Sequence, residues 1–295
     1  MAHRTSVGAV IAVSAAVLSG AASTALSAPV PGYPIGWCIR ATAGAFADAK
    51  SAGFEYVELA FQDVLGLSDT EFAALRAQLN TSGLDAFSGY NAIPADIQLV
   101  GPGINEPLQD RHIEHVLRRA KALEVEYIIF NAGASWRVPD GVPPEKAFAD
   151  LVGFSQRFAG AAHNAGIGVL VEPLRSTDTN MITTISQAVR LVEAVDRPNF
   201  ALMVDYSFLR IQKDDVSALL DARSYLRHVH IANPEGGRTY PMDPGESDYA
   251  SFFRVLKEIG YRGRMSVHAR TSAFGTDAPR AIAFLRSQAQ ALATR

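Results

Sequence analysis

Short apolar runs alternate with helix-forming stretches eight times along this sequence, and the rhythm predicts an α/β fold, a closed (β/α)8 barrel. Three observations carry that expectation. Runs such as Gly168-Val169-Leu170-Val171 are apolar throughout, as strands of a parallel sheet covered on both faces must be. A helix-forming segment follows each run, and strand–helix–strand order makes neighbouring strands parallel. The 295 residues, 48% of them hydrophobic, are enough for eight such units around a large core. An open doubly wound sheet would need a glycine-rich phosphate-binding turn after its first strand, and Gly36-Trp37-Cys38 is not one.

The chain begins with a segment unlike the rest. His3 and Arg4 precede an apolar run from Val7 to Ala22, and small residues lead through Ala28 to Pro29. A basic end, an apolar centre and a small-residue exit predict a signal peptide over 1–28, a single barrel domain over 29–295 and a secreted or periplasmic product. An uncleaved anchor, or a cytoplasmic chain with a misassigned start, are the alternatives.

Strands are then expected at 35–39, 56–60, 84–88, 127–131, 168–172, 200–205, 226–231 and 265–268. Alanine content predicts a helix at 41–52, and Asp69 or Thr70 as cap, with Glu71 in the first turn, predicts one at 69–79. Pro94, Pro102 and Pro107 mark a loop over 90–109. In 110–123, Ile113, Val116, Leu117, Ala120 and Leu123 share one helical face. A long helix at 145–165 is ended by Gly166, and further helices are expected at 184–195, 215–222, 248–259 and 276–292.

Net charge is −3, with no basic excess, so composition predicts no nucleic-acid partner. Beyond the leader no run is apolar and long enough to make a membrane partner. The one cysteine, Cys38, excludes an internal disulfide framework.

Function is expected where the strands end, because barrels of this kind build their sites on the carboxyl rim. The fifth strand runs into Glu172, the sixth ends in Asp205, the seventh near His230 and the eighth in His268. One such carboxylate is as readily a residue facing water. Four consecutive strands ending in two carboxylates and two imidazoles predict a divalent-cation site. His228 shares strand parity with His230 and is expected one layer deeper, orienting His230 or a substrate oxygen. His112, His115 and His163 fall on outer helices and are expected at the surface. Trp37, Tyr90 and Trp136 form either an apolar wall over the cation site or ordinary loop packing.

These residues carry a resemblance. Val171-Glu172-Pro173, the loop around Asn180, Val204-Asp205, His228-Val229-His230 and Gly260-Tyr261-Arg262-Gly263-Arg264-Met265-Ser266-Val267-His268 resemble the sugar phosphate isomerase/epimerase family. These are the xylose isomerase-like TIM barrels, among them ketose 3-epimerases, hydroxypyruvate isomerase and inosose dehydratase. Tyr56-Val57-Glu58-Leu59 is similar to their second strand, and Pro244-Gly245-Glu246-Ser247-Asp248-Tyr249 to the segment before their seventh helix. The similarity spans 35–270.

The resemblance implies a (β/α)8 TIM barrel holding a divalent metal, Mn²⁺ in the family, on Glu172, Asp205, His230 and the residue at 268. It implies a substrate-binding arginine, Arg238, and a small-molecule carbohydrate-like substrate. The implied activity is that of an isomerase or epimerase: one glutamate takes a proton beside a carbonyl and a second returns one. Two positions depart from the pattern. His268 stands where the family has that second glutamate, and Phe208 where it often has a histidine that touches substrate.

Glu172 is therefore expected as ligand and base, and His268 as ligand and possible second acid/base. Two imidazoles make Zn²⁺, Fe²⁺, Co²⁺ or Ni²⁺ as acceptable as Mn²⁺. Phe208, with Trp37 if it lines the pocket, implies a substrate more apolar or larger than a free ketose. Because a single carboxylate base remains, two alternatives stay open. One is a metal-dependent lyase or dehydratase working by β-elimination on a sugar or polyol derivative. The other is a secreted barrel that binds without catalysis.

Overall fold

Eight parallel strands pair in chain order and close on themselves in the computed structural model, which describes residues 32–42 and 44–293. They are β1 (Ile35–Ile39), β2 (Tyr56–Ala60), β3 (Asp85–Tyr90), β4 (Tyr127–Phe130), β5 (Gly168–Val171), β6 (Phe200–Asp205), β7 (Leu226–Ile231) and β8 (Met265–Val267). β8 pairs with both β7 and β1, which completes the predicted barrel. The expected leader lies outside the described residues. No helix among the described residues is long and apolar enough to cross a membrane.

The helices are α1 (Ala45–Ala52), α2 (Phe61–Leu65), α3 (Asp69–Ser82), α4 (Glu106–Ala122), α5 (Pro144–Ala165), α6 (Ile185–Val195), α7 (Tyr206–Gln212), α8 (Ala218–Asp221), α9 (Tyr249–Glu258) and α10 (Phe274–Ala293). Several ends differ from expectation for identifiable reasons. The cap of α3 is Ser68, not Asp69 or Thr70: its hydroxyl accepts the Glu71 N–H while the Glu71 carboxylate accepts the Ser68 N–H. This reciprocal pair satisfies two otherwise orphaned donors. α4 starts earlier than expected because Pro107 sits in its first turn, where a missing N–H costs nothing, and Asn105 caps it. α2 and α7 follow β2 and β6 directly and are too short to show a helical period.

Side-chain alternation sorts the interior into two cores. Outward residues such as Val57, Leu59, Val169, Val171, Leu202, Val204 and Val229 pack under the helices. Inward, Cys38, Ala60, Tyr90, Ile129, Leu170, Ala201 and Met203 form a separate apolar layer. Full burial of Ile129, Leu170 or Met203 stabilises the barrel by about 1.5–3 kcal/mol each.

The amino-terminal end of the barrel is plugged. The Tyr56 hydroxyl bonds to Ser266 Oγ at 2.8 Å, and the Arg264 guanidinium lies 5.0 Å from the Tyr56 ring and 4.4 Å from that of Phe87. Gly36 makes room for this, since a Cβ there would stand 2.2 Å from the Tyr56 ring. Against this apolar filling, seven buried inward groups are polar: Glu58, Ser88, Glu172, Asp205, His228, His230 and Ser266. Such groups are tolerated only when partnered.

Candidate metal centre

Strand register brings the predicted ligands together. Asp205 lies level with His230, and His230 with Ser266. Glu172 and His268 each stand one residue past their strands, anchored by N–H bonds to the carbonyls of Phe130 (3.1 Å) and Ile231 (3.1 Å). Glu172 Oε1 lies 3.7 Å from His230 Nδ1. His268 Nδ1 lies 3.3 Å from the same nitrogen and 3.9 Å from Asp205 Oδ2. Ligand atoms of Glu172, Asp205 and His230 all fall within 4.8 Å of one another, and His268 reaches two of the three.

These residues fit a divalent cation. Glu172 Oε1 is buried and has no hydrogen-bond partner, an expensive arrangement for a carboxylate unless a positive charge sits against it. Two atoms each about 2.1 Å from one ion stand about 3–3.5 Å apart, close to the spacings seen. Two carboxylates would leave a bound divalent ion neutral overall, with two imidazoles completing the set.

Asp205 is oriented by its own backbone. It caps α7 with Oδ1, which accepts the Ser207 N–H (2.9 Å), the Ser207 hydroxyl (2.6 Å) and the Phe208 N–H (3.3 Å). That turns Oδ2 toward the cluster, where it pairs with the Arg238 guanidinium. Burial works against the charge, but Arg238, then His268 and His230, hold the carboxyl below its ordinary range. Arg238 sits in the left-handed region at φ 68°, after Gly237, and its guanidinium lies over the Phe208 ring at 4.4 Å. Phe208 is buried, and Arg175 lies 5.1 Å from the same ring.

Behind the cluster lies a carboxylate that was not among the expected site residues, Glu58 on β2. Its Oε1 accepts His228 Nε2 at 2.6 Å, its Oε2 accepts His230 Nε2 at 3.0 Å, and Ser88 Oγ donates to Oε2. His228 therefore occupies the deeper layer predicted for it and meets His230 through a shared carboxylate. Burial disfavours the Glu58 charge, yet His228 and His230 pull its pKa well below the usual value. Cys38 Sγ lies 3.6 Å from His230 Nε2, and burial, then the Glu58 charge, push its thiol up to about 12. Burial opposes a proton on His230, but Cys38 and Glu58 raise its pKa well above the ordinary imidazole value. His268 goes the other way: although 24% of its side chain still meets the cavity, desolvation, Arg238 and His230 drive its pKa well down. It stands neutral at pH 7, with a lone pair to offer.

A cavity of about 370 Å³ opens above His268, bounded by Arg40, Gln62, Tyr90, Asn91 and Arg238 among others. Tyr90 contributes its ring, 4.9 Å from that of His268. Trp37 borders the cavity too, but its indole stacks on Phe274 (4.2 Å) and Phe54 (5.7 Å), because Cys38 takes the inward position on β1. Trp136 does not form a wall: it is wholly buried against Phe130, the loop-packing alternative. Asn180 ties two rim loops together, its side-chain amide bonding both backbone groups of Val138 at 2.8 and 3.0 Å. His112 bonds to the Ala92 carbonyl at 2.7 Å from α4.

The shifted groups predict acid sensitivity. His228, by burial, and His268 have lowered pKa values, as do Glu58 and Asp205 against burial. A depressed folded-state pKa means that the unfolded chain binds more protons as pH falls, so stability present above the unfolded pKa is lost below it. His230, with a raised pKa, has its full contribution in place below its unfolded value of about 6.5 and does not alter that slope. The melting temperature of the metal-free protein is therefore expected to fall in two stages, first below about pH 6.5 and again below about pH 4. Thermal unfolding in EDTA across that range checks it; an unchanged melting temperature down to about pH 4 contradicts it.

Comparison with known proteins agrees with the barrel fold. Residues 46–288 match the family model for the xylose isomerase-like TIM barrel. The chain is 31% identical over 222 residues to the ketose 3-epimerase of Arthrobacter globiformis, covering 72% of each protein. It is 28% identical over 240 residues to the L-ribulose 3-epimerase of a Methylomonas species, covering 80% of this chain and 81% of that one. A crystal structure of D-allulose 3-epimerase from Methylomonas shares the fold, with a TM-score of 0.75 over 88% of this chain and 99% of the other at 24% identity. The chain belongs to the xylose isomerase-like TIM barrel family.

Proposed function

We propose that this protein is a divalent-metal-dependent sugar isomerase or epimerase that removes a proton next to a carbonyl group. One observation carries the reading: a buried carboxylate, Glu172, keeps an oxygen without a hydrogen-bond partner 3.7 Å from His230, on the rim where this fold builds its sites. Relatives that are ketose and ribulose 3-epimerases support a ketose-like substrate.

Glu172, Asp205, His230 and His268 would hold the ion, which supplies positive charge that makes a proton beside a carbonyl more acidic. The donor set suits Mn²⁺, and with two imidazoles also Zn²⁺, Fe²⁺, Co²⁺ or Ni²⁺. Glu172 takes the substrate proton on the carboxylate oxygen that does not hold the ion. Arg238, at the cavity wall, binds substrate oxygen atoms, and Phe208 and Tyr90 keep water from the reacting carbon.

The test is to strip the protein of metal, reload it with each candidate ion and incubate it with a panel of ketoses and keto-sugar derivatives in D₂O. Metal-dependent deuterium uptake at the carbon beside the carbonyl is the expected result. No uptake with any ion across the panel overturns the reading, and an enone absorbance without uptake replaces it with β-elimination.

A further inference from the structure

We propose that Glu58 is a positioning residue that decides which nitrogen of His230 meets the metal, an inference that rests on the metal site proposed above. An imidazole binds a cation only through a bare lone pair, so its other nitrogen must hold the proton and something must accept that proton. Here the acceptor is built into the barrel. Glu58 Oε2 lies 3.0 Å from His230 Nε2, and the opposite nitrogen, Nδ1, is the one 3.7 Å from Glu172 and 3.3 Å from His268.

Glu58 cannot turn away from this duty. It is wholly buried and reached by donors from two other strands, His228 and His230 on β7 and Ser88 on β3. His228 Nδ1 is buried and has no partner, an arrangement that costs least when that nitrogen is a bare lone pair. His228 thus carries its proton on Nε2 and gives it to Glu58. With every neighbour donating, the carboxylate is an acceptor only. Of the two neutral tautomers of His230 it accepts only the one with Nε2–H pointing down to it, the one that leaves Nδ1 bare at the rim. A carboxylate in that place also makes the imidazole a stronger ligand.

A merely structural role, neutralising two buried histidines, would not fix the metal-binding nitrogen, and that is what the experiment reads. The full-length protein, labelled with ¹⁵N-histidine and loaded with Zn²⁺, is studied by long-range ¹H–¹⁵N NMR, with His230→Asn used for assignment and Zn²⁺ affinity measured by chelator competition. The wild type is expected to show a slowly exchanging Nε2–H on His230, with the metal on Nδ1. Glu58→Gln puts an amide donor where one of two acceptors stood. It is expected to weaken Zn²⁺ binding by about 10–100-fold and to shift or remove the His230 Nε2–H signal, with Glu58→Asp recovering part of the affinity.

Metal on Nε2 in the wild type overturns the inference. So does a folded Glu58→Gln that binds Zn²⁺ as tightly as the wild type with the signal in place. If Glu58→Gln does not fold, Glu58→Asp and the wild-type spectrum decide on the same readouts. A wild type that binds no Zn²⁺ instead removes the metal reading underneath.

Discussion

Glu172→Gln is expected to lower kcat/KM for ketose turnover by about 10²–10⁴-fold and to abolish deuterium uptake, because it removes the proposed base and neutralises a ligand while keeping the side chain's volume. The two losses separate by measuring metal content alongside exchange. A variant that keeps the ion but does not exchange has lost the base; one that loses both has lost the ligand first. The same substitution is expected to leave the metal-free protein at least as stable as the wild type. The wild-type chain buries a carboxylate oxygen that no donor meets, 3.7 Å from His230, and an amide there carries no charge to desolvate. Activity down with apo stability unchanged or up is the signature of a site that trades stability for chemistry. Thermal unfolding in EDTA reads the second half; a destabilised apo variant would mean that Glu172 serves the fold.

The rim of this site was legible from the chain because of how a parallel barrel is made. A strand-end residue in a (β/α)8 barrel stands on the same rim as every other strand end, so Glu172, Asp205, His230 and His268 could be gathered without knowing a single contact. Strand limits at β1, β2, β6 and β7 follow the expected residues for the same reason: an apolar run is bounded by the polar or turn residues that stop it.

What lay behind the rim was not legible. Glu58 and His230 are 172 positions apart, and their contact depends on the inward parity of strands facing each other across the barrel. One signal was present: a charge in the middle of Tyr56-Val57-Glu58-Leu59-Ala60 has to be partnered if the strand is buried. The aromatic residues were ambiguous for a different reason. A loop has no period to show which way a side chain points, so Trp136 could be placed in the core only once its contact with Phe130 was seen.

The histidine at 268 decides whether the family's exchange of protons between two groups survives here. His268 is neutral at pH 7, with Nδ1 3.3 Å from His230 and 3.9 Å from Asp205, so it is placed as a ligand and is a poor proton donor. His268→Ala is accordingly expected to weaken metal binding by about 10–100-fold, with much of its activity recovered at saturating ion. A variant that stays inactive when fully loaded would make His268 an acid/base group instead. His268→Glu asks the converse question. A glutamate adds a third carboxylate, which favours Mn²⁺ over Zn²⁺, and supplies a second group able to hold a proton. If Glu172 works alone, the wild type returns deuterium to the face from which it took the proton, and exchange outruns epimer formation. His268→Glu is then expected to raise the ratio of epimer to exchanged substrate by about 10²-fold, the low end of what a positioned acid–base group contributes. An unchanged ratio would mean that the wild-type chain already has a second proton carrier, and Arg238 and Tyr90, two of the polar side chains that line the cavity with His268, would be the groups to replace next.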